Sequence, residues 1–435
     1  MTKRTIKVDY LARVEGEGAL HARIANGAVE HVELNIFEPP RYFEALLRGR
    51  DFREAPDITA RICGICPVAY QMSAVHAMEA ACNISLPHPL RDLRRLLYCG
   101  EWIQSHVLHV FMLHAPDFLG CDSVVEMAKT NPALVQQALR MKKAGNAIIA
   151  AVGGREVHPI NVKVGGFYRV PRRDEIAALR DEMAWGRDAA AEALQWAATL
   201  DYPDFERDYQ FVALRDPDEY PMNQGRIVSS QGLDIGAGAY EQHFAESHEP
   251  QSTALHSRMV ADGSAYLVGP LARYALNFSL LPADVQSAAR RAGLGPVCRN
   301  PYRSLMVRLV EVMYAFGEAL RLVDAYEPPE LAAVEASPRI ASGCWATEAP
   351  RGLLYHRYDI DGDGLIREAK IVPPTSQNQP SIEDDLRGVI ADNLTLSDDA
   401  LRHRCEQTIR NYDPCISCAT HFLNLTVDRE GEGVA

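Results

Sequence analysis

Apolar and polar residues alternate along residues 5–36, as in Val29-Glu-His-Val32-Glu-Leu34, and three glycines and an asparagine interrupt the alternation. Strict alternation is typical of half-buried strands, because successive side chains point to opposite faces of a sheet. The sequence therefore predicts a small antiparallel sheet at the N-terminal end, followed by a short helix around Tyr42 to Leu47.

From Val68 onward the apolar positions recur at intervals of three and four residues, which is the period of a helix with one buried face. This period predicts one helix from Val68 and others near residues 90–111, 131–152, 173–200, 302–326, 382–394 and 398–411. Alternation returns in Leu353 to Tyr358 and in Leu365 to Val372, and the Asp361-Gly-Asp-Gly364 turn between them predicts a hairpin. Residues 201–280 show no pattern that assigns them.

These elements predict a mainly helical α+β fold, in which a bundle of long helices carries an N-terminal antiparallel sheet and a C-terminal hairpin. A length of 435 residues with 47% hydrophobic residues is sufficient for a large core. Because the sequence contains no repeat and no low-complexity linker, we expect residues 1–435 to form a single domain.

Charge and composition exclude several classes of function. A formal net charge of -13 argues against binding to nucleic acid or to an anionic membrane surface. The chain has no apolar run long enough to span a bilayer. Its first residues lack the apolar core of a secretory signal, so we expect a cytoplasmic location. Ten cysteines are too few for a disulfide scaffold and suit metal-bound thiolates in a reducing compartment better.

Two cysteine pairs lie near opposite ends of the chain, Cys63 with Cys66 and Cys415 with Cys418. Each pair has two residues between the sulfurs, a spacing at which two thiolates can bind one soft metal, and two pairs make a complete thiolate set. The other six cysteines are scattered, and we expect them to be small core residues rather than ligands. They are Cys82, Cys99, Cys121, Cys298, Cys344 and Cys405.

The spacing alone also suits a structural zinc site, but three features argue against one. The two halves of a structural zinc motif usually lie tens of residues apart in one local module. Asp413 and His421 beside the second pair supply more polar groups than a closed zinc site needs. The charge of Arg61 beside the first pair favours ionised thiols.

The two motifs Arg61-Ile-Cys-Gly-Ile-Cys66 and Asp413-Pro-Cys-Ile-Ser-Cys-Ala-Thr-His421 resemble the signature of the catalytic large (alpha) subunit of nickel–iron hydrogenases. Further blocks of that family occur in order: Arg13-Val-Glu15-Gly, Phe43-Glu44 with Arg48-Gly-Arg-Asp51, His114-Ala-Pro-Asp117, Glu348-Ala-Pro-Arg351-Gly and Val372-Pro373. Any one block is weak evidence, but five in register with both cysteine pairs are specific, and the resemblance covers the whole chain.

The resemblance implies a nickel–iron centre bound by the two cysteine pairs. Nickel would take all four thiolates, with Cys63 and Cys415 as terminal ligands. Cys66 and Cys418 would also bridge to an iron that carries diatomic CO and CN ligands. Soft, charged sulfurs suit a redox-active late transition metal, and open coordination positions would admit dihydrogen.

The resemblance also implies a second ion, magnesium or iron, near the C-terminal histidine. Glu44 and His421 would be its side-chain ligands, and a backbone carbonyl near Lys370 would complete the protein set. Two simpler alternatives remain at this point: Glu44 as a solvated helix carboxylate, and His421 as a hydrogen-bond donor to a ligand.

Heterolytic cleavage of dihydrogen releases a proton, and the family assigns its first carrier to the position of Glu15. Glu15 would accept the proton from the thiolate of Cys415, and burial of the carboxyl would raise its pKa for this task. Arg351 would lie over the open side of the metals, held by Asp117 and Asp413. The alternatives are a surface glutamate at a strand end, a helix cap at Asp117 and a turn residue at Asp413.

The sequence departs from the commonest family pattern at two positions. Many relatives have a histidine four residues after the second cysteine, where this chain has Tyr70, and we expect the nearby His76 to be a core residue or to support a ligand. Pro374 replaces the usual serine after Pro373, so a hydrogen bond to an iron ligand must come from another residue, for which we name Thr375. The Cys-Pro-Val-Ala-Tyr variant itself resembles the soluble cytoplasmic bidirectional branch coupled to NAD(P).

The resemblance therefore implies the catalytic subunit of a nickel–iron hydrogenase that interconverts dihydrogen with protons and electrons. We expect an iron–sulfur small subunit to take the electrons and flavin-containing subunits to pass them to NAD(P). A subunit of the complex I type is an alternative, but those relatives have lost the cysteine pairs; a zinc-stapled structural protein is the other. The family often loses its C-terminal end after metal insertion, which predicts cleavage within Phe422 to Ala435.

Overall fold

The structure, a computed structural model, describes residues 3–420. His421 and the expected processed segment, Phe422 to Ala435, lie outside the described residues. The strands, in chain order, are β1 Lys3–Val8, β2 Gly18–Ala25, β3 Ala28–Ile36, β4 Val162–Lys163, β5 Gly166–Phe167, β6 Val212–Arg215, β7 Arg226–Ser229, β8 Asp234–Ile235, β9 Phe244–His248, β10 Leu255–Met259, β11 Ala341–Ala349, β12 Gly352–Ile360 and β13 Ile366–Val372.

The helices are more extensive than the strands, as the sequence predicts. They are α1 Phe43–Leu47, α2 Ala55–Thr59, α3 Pro67–Cys82, α4 His88–Val107, α5 Ala115–Phe118, α6 Val124–Thr130, α7 Pro132–Gly153, α8 Arg173–Ala177, α9 Arg180–Ala197, α10 Tyr240–His243, α11 Pro270–Asn277, α12 Ala283–Arg291, α13 Ser304–Asp324, α14 Pro374–Asp392, α15 Asp398–Arg410 and α16 Ile416–Ala419.

The N-terminal sheet has the order β1-β2-β3 with antiparallel pairing, which confirms the prediction from alternation. Its inward side chains, such as Leu20 and Ala22, are fully buried, whereas the residues between them are half-buried. The sheet therefore buries one face. Glu15 lies in the connection between β1 and β2, and its backbone contacts the C-terminal motif at Cys415.

The long helices α4, α7, α9 and α13 form the centre of the molecule, where α4 packs against α7 and α13, and α9 packs against α13. Helices α4 and α7 approach closely because glycines face each other at their crossing. A Cβ atom on Gly100 would lie 2.9 Å from the carbonyl oxygen of Gly145, and one on Gly145 would lie 2.8 Å from the carbonyl oxygen of Gly100. The mainly helical α+β architecture that the sequence predicts is confirmed.

The C-terminal sheet is larger than the predicted hairpin. Strand β11 pairs with β12, and β12 pairs with β13. The predicted hairpin corresponds to β12 and β13, and β11 adds a third strand on the other side of β12. Helix α14 also begins at Pro374 rather than near residue 382, because a proline is well tolerated in the first turn of a helix.

One hydrophobic cluster extends from Ile6 to Cys418 and includes side chains from the N-terminal sheet, the long helices and the C-terminal sheet. The continuity of this cluster supports the prediction that residues 1–435 form a single domain, and that statement stays a proposal. In the part of the chain that the structure describes, none of the helices has the length and apolar character needed to cross a membrane.

Candidate metal centre

The four predicted cysteines converge in the interior. Their sulfur atoms all lie within 4.8 Å of one another, and each residue is at most 3% exposed. Within the pairs the Sγ atoms are 2.8 Å apart, between Cys63 and Cys66 and between Cys415 and Cys418. Across the pairs, Cys63 and Cys415 are 3.5 Å apart and Cys66 and Cys418 are 4.0 Å apart. The two ends of the chain therefore meet at one sulfur cluster.

The first pair is positioned by the start of α3. Cys66 is the residue before the first turn, and the backbone N–H groups of Cys66 and Ile65 donate to the Sγ of Cys63 at 3.1 and 3.3 Å. Glu101 of α4 accepts hydrogen bonds from the amides of Val68 and Ala69, at 2.6 and 3.0 Å. A carboxylate at a helix N-terminus compensates the unpaired amides and the helix dipole, so α4 fixes where α3 begins.

The second pair is positioned by Glu15 of the N-terminal motif and by Thr375. Glu15 and Cys415 form a parallel β-bridge, in which the amide of Ile416 donates to the Glu15 carbonyl at 3.0 Å. The Glu15 carboxylate itself accepts from the amide of Ser417 at 3.1 Å. Thr375 accepts from the amide of Cys415 at 3.0 Å, so both sides of the cysteine loop are held by other parts of the chain.

Arg41 connects the two cysteine loops directly. Its guanidinium donates to the carbonyls of Ile62 and Arg61 before the first pair, at 2.6 and 2.9 Å, and to the Ser417 carbonyl at 3.5 Å. Its own amide donates to the Thr420 carbonyl at 2.8 Å. The relative position of the two pairs therefore depends on one side chain as well as on the sulfur contacts.

The pKa shifts of the four thiols indicate which of them are ionised when no cation is bound. Burial raises the pKa of Cys66, Cys415 and Cys418. Burial acts on Cys63 in the same direction, but hydrogen bonds from the other thiols lower its pKa well below the usual value. The thiols alone thus favour one shared thiolate, whereas a bound cation would stabilise all four as thiolates. A buried set of four sulfurs fits a soft late transition metal.

Arg351 lies beside the cluster and is held by Asp413 but not by Asp117. Its Nε donates to the Asp413 carbonyl at 2.7 Å, and its Nη2 to the Asp413 carboxylate at 3.2 Å. Burial opposes the charge of Arg351, but Asp413 and the cysteine thiolates raise its pKa well above the usual value. Its Nη1 has no hydrogen-bond partner in residues 3–420.

The prediction that Asp117 holds Arg351 is wrong. The Asp117 carboxylate binds Arg410 at 2.7 and 2.9 Å and Arg13 at 2.5 Å. Burial would raise the pKa of Asp117, but the guanidinium of Arg410 dominates and lowers it. Asp117 therefore ties the last helix before the cysteine loop to the N-terminal motif, a contact that a linear motif does not reveal.

Glu44 and Lys370 lie together, as the second predicted ion site requires. Glu44 is buried, at 4% exposure, and its carboxylate accepts from the amide of Ile371 at 2.6 Å. The Lys370 ammonium binds the Glu246 carboxylate at 2.5 Å. Burial of Glu44 is inconsistent with a solvated helix carboxylate. The third predicted ligand, His421, lies outside the described residues.

Tyr70 and His76, which the family comparison singled out, occupy different environments. Tyr70 is fully buried with its ring 5.8 Å from that of His356, and burial together with the charge of the cysteine thiolates raises its pKa. His76 stacks on Trp345 with ring centroids 5.2 Å apart and lies 3.7 Å from the Glu79 carboxylate. Tyr70 therefore belongs to the surroundings of the cluster, and His76 supports the packing of α3 on β11.

The sequence did not single out Glu101 or Arg41, although both position the cysteines. A weak signal existed for Glu101, because it is a charged residue on the apolar face of α4, four residues after Leu97 and eleven after Leu90. Such a residue needs a buried partner. Arg41 lies in an irregular segment with no periodic context, so its role follows only from the fold.

Comparison with known proteins supports the same centre. A profile of nickel-dependent hydrogenases matches residues 41–137 and 262–421. The alpha subunit of sulfhydrogenase 2 from Pyrococcus furiosus is 30% identical over 424 residues, which cover 97% of this chain and 100% of that protein. The beta subunit of the NAD-reducing hydrogenase HoxS from Cupriavidus necator is 28% identical over 468 residues, covering 97% of this chain and 95% of that protein.

Solved structures agree with these sequence relatives. A chain of an NAD+-reducing [NiFe]-hydrogenase in the H2-reduced state superposes with a TM-score of 0.87 and 27% identity, covering 96% of this chain and 99% of that chain. A [NiFeSe]-hydrogenase chain from Dm. baculatum superposes with a TM-score of 0.81, covering 97% and 100%. At 22% identity the second likeness concerns the fold alone.

Proposed function

Because this chain belongs to the nickel-dependent hydrogenases, as a catalytic large subunit, we propose that its sulfur cluster holds a nickel–iron centre for the reversible heterolytic cleavage of dihydrogen. The single observation that carries this proposal is the convergence of four buried sulfurs within 4.8 Å. Cys63 and Cys415 would be terminal ligands, and Cys66 and Cys418 would bridge nickel and an iron with CO and CN ligands. When bound, this centre supplies the open coordination position and the redox chemistry of the reaction.

We propose Glu15 as the group that takes the proton away from the cluster. Its backbone is bridged to Cys415, and its half-buried carboxylate is held by the Ser417 amide. The support for this role is the contact of Glu15 with the Cys415 loop, since a proton carrier has to lie within hydrogen-bond reach of the proton that it takes, directly or through one water. Glu15 itself belongs to the half-buried N-terminal motif, so a proton that it accepts would leave the buried cluster toward that motif.

Arg351 would stabilise negative charge at the open side of the cluster. Its guanidinium is oriented by two hydrogen bonds to Asp413, while Nη1 stays available within the described part of the chain. A fixed cation in a water-excluded site stabilises developing charge more strongly than one in water. Removing this cation should therefore slow cleavage more than it weakens metal binding.

We also propose a magnesium or iron ion bound by Glu44, a backbone carbonyl near Lys370, and His421. Support comes from the burial of Glu44 beside the strand that contains Lys370. A hard cation prefers oxygen ligands, which a carboxylate and a carbonyl provide. Its charge would tie α1 to β13 near the C-terminal motif.

For the electron acceptor we propose an iron–sulfur small subunit that passes electrons to flavin-containing, NAD(P)-reducing subunits. The support is the likeness to the HoxS subunit and to the NAD+-reducing [NiFe]-hydrogenase. A cytoplasmic location follows from this proposal, because NAD(P) is an intracellular coenzyme.

Metal analysis combined with a hydrogen-uptake assay tests the function. Protein purified with its partner subunits should contain nickel and iron in about equal amounts and should reduce NAD or NADP when hydrogen is supplied. Zinc in place of nickel would overturn the proposal in favour of a zinc-stapled structural protein. A protein with no such metals that transfers electrons without hydrogen would instead favour a subunit of the complex I type.

A further inference from the structure

Arg273 is a fully buried arginine of α11 that uses every N–H group of its guanidinium. Two of its hydrogen bonds go to the Glu311 carboxylate, at 2.9 and 2.8 Å, and one goes to the Glu348 carboxylate at 2.9 Å. The remaining two go to the backbone carbonyls of Ala349 and Pro350, both at 2.8 Å. Five donors in a rigid fork can be satisfied in only one orientation, so this arginine fixes its partners relative to one another.

The partners of Arg273 include the backbone directly before Arg351. Three consecutive carbonyls of this turn accept hydrogen bonds from buried side chains, since Trp102 Nε1 donates to the Glu348 carbonyl at 3.0 Å. The Trp102 ring also stacks on the Arg273 guanidinium, 4.4 Å from its centroid. Each carbonyl of the turn 348–350 is therefore fixed by a hydrogen bond from a buried side chain, in addition to the packing of the surrounding core.

Two glycines also confine the backbone at Arg351. A Cβ atom on Gly269 would lie 2.6 Å from the Arg351 carbonyl oxygen, and one on Gly352 would lie 2.8 Å from the Gly269 amide. Both glycines have positive φ angles, 111° and 138°. The backbone at Arg351 thus has little freedom to shift closer to Gly269, and the Arg273 contacts, together with the Trp102 hydrogen bond to the Glu348 carbonyl, resist a shift away.

Glu311 connects this anchor to the helix bundle. Besides Arg273, its carboxylate contacts His106 at 2.9 Å and the Tyr220 hydroxyl at 2.8 Å. Burial disfavours the charge of Glu311, but Arg273 and His106 lower its pKa to about 2. A buried carboxylate with this many donors is rigidly held, so Arg273 is anchored to α13 and α4 rather than to a loop.

We propose that Arg273 is a positioning residue for dihydrogen cleavage, which acts by holding the 348–350 turn so that Arg351 stays at the open side of the cysteine cluster. The inference rests on the proposed function, in which Arg351 stabilises charge beside the metals. Arg273 itself does not contact the sulfur cluster: its hydrogen bonds all go to the two carboxylates and the turn. Its effect on catalysis must therefore pass through Arg351.

The variant R273K tests the inference, because lysine keeps the charge but cannot make the forked set of five hydrogen bonds. We expect the turnover number per nickel to fall by about 10- to 100-fold, since a misplacement of about 1 Å in a catalytic group costs about 100-fold. The nickel content per chain should stay unchanged. In a background that already carries R351K, the additional R273K change should alter turnover by less than about twofold.

Hydrogen–deuterium exchange of the amides of Ala349, Arg351 and Gly352, the residues of 349–352 other than Pro350, provides a readout that does not depend on activity. Exchange there should be faster in R273K than in the wild type. The matched control is R94K, since Arg94 is equally buried and binds the Glu79 carboxylate with two hydrogen bonds. R94K should lose stability while leaving both turnover and exchange at residues 349–352 unchanged. If R273K does not fold, W102F, which removes the hydrogen bond to the Glu348 carbonyl and leaves a smaller ring against the Arg273 guanidinium, should show the same effects at smaller size.

Two results would overturn the inference: unchanged exchange at residues 349–352 in R273K and W102F, or an equal loss of turnover from R273K with and without R351K. The first would mean that Arg273 does not hold the turn, and the second that it acts by another route. If the wild type lacks hydrogenase activity but R273K exchanges faster, the proposed function fails while the structural anchoring stands.

Discussion

The substitution E15Q separates the proton-transfer role of Glu15 from its structural role. The Glu15 carboxylate accepts one hydrogen bond, from the Ser417 amide at 3.1 Å, and its backbone carbonyl accepts another from Ile416 at 3.0 Å. A glutamine side chain has nearly the same shape and retains an oxygen acceptor for the Ser417 amide. The loop that carries Cys415 should therefore stay in place, while the carboxyl group that would carry the proton is lost.

The size of the two effects can be estimated separately. Exchanging an ionised acceptor for a neutral one on a half-buried hydrogen bond should cost less than about 1.5 kcal/mol of stability. Loss of a positioned general acid–base group reduces the rate by about 100- to 10,000-fold. Nickel content should be unchanged, because none of the four cysteines is altered. E15Q should therefore be a nearly wild-type protein in folding and metal content, and a severely impaired catalyst.

The assay is hydrogen-driven dye reduction, measured per nickel and paired with hydrogen–deuterium exchange of dihydrogen against solvent. The control is E17Q, since Glu17 is an exposed carboxylate two residues further on, outside the contacts to the cysteine loop. E17Q should keep full activity. If E15Q retained more than about half of the wild-type turnover, Glu15 would not be the proton carrier. A loss of nickel in E15Q would instead mean that its role is to hold the Cys415 loop.

Three further outcomes are expected. C415S should lose nickel in elemental analysis, because one of four converging thiolates is removed, whereas C121S, at a half-buried cysteine outside the cluster, should keep it. Burial opposes ionisation of Glu318, but hydrogen bonds from two arginines lower its pKa from 4.5 to about 2. The ionised carboxylate should therefore make the wild type more stable than E318Q in urea unfolding. This extra stability should be complete above about pH 4.5 and should vanish as the pH falls to about 2. G343A should lower the melting temperature and the nickel content, since its Cβ would lie 2.1 Å from the Ala77 carbonyl oxygen of α3, while G362A, whose Cβ would meet Ile340 Cγ1 at an ordinary 3.7 Å, should change neither. Nickel retained in C415S, a pH-independent E318Q difference or a fully stable G343A would contradict these expectations.

The fold was predictable from the sequence wherever one period persisted. The N-terminal sheet alternates because one of its faces is buried, and α4 and α13 carry clear apolar faces. Strand β11 was missed because Ala341–Ala349 contains small and polar residues, which do not show the alternation of a strand. The segment is a strand because its backbone pairs with β12 and helix α3 covers it. The early start of α14 was missed because Pro374 and Pro380 suggest a helix break, whereas the first lies at a tolerated position.

The cysteine set could be predicted because ligands to one soft metal require a fixed residue type and spacing. The contacts that position the set could not, since they join residues with no pattern between them. Asp117 shows the difference: its motif identified an important carboxylate, but its partners, Arg13 and Arg410, come from opposite ends of the chain. Linear motifs thus identify which residues could bind a metal, and long-range hydrogen bonds decide how they are oriented.

These contacts also bear on when the metals enter. In the described part of the chain, Arg41 joins the two cysteine loops, Glu101 fixes the start of α3, and Glu15 and Thr375 hold the Cys415 loop, all through groups that are not metal ligands. The site can therefore be assembled by protein contacts before metal binds, unlike small zinc modules that fold only around their metal. Burial raises the pKa of three of the thiols, so a metal that binds them has to displace their protons. A metal bound in this cluster would stabilise all four cysteines as thiolates, at the point where protein contacts already join the first and last segments of the chain.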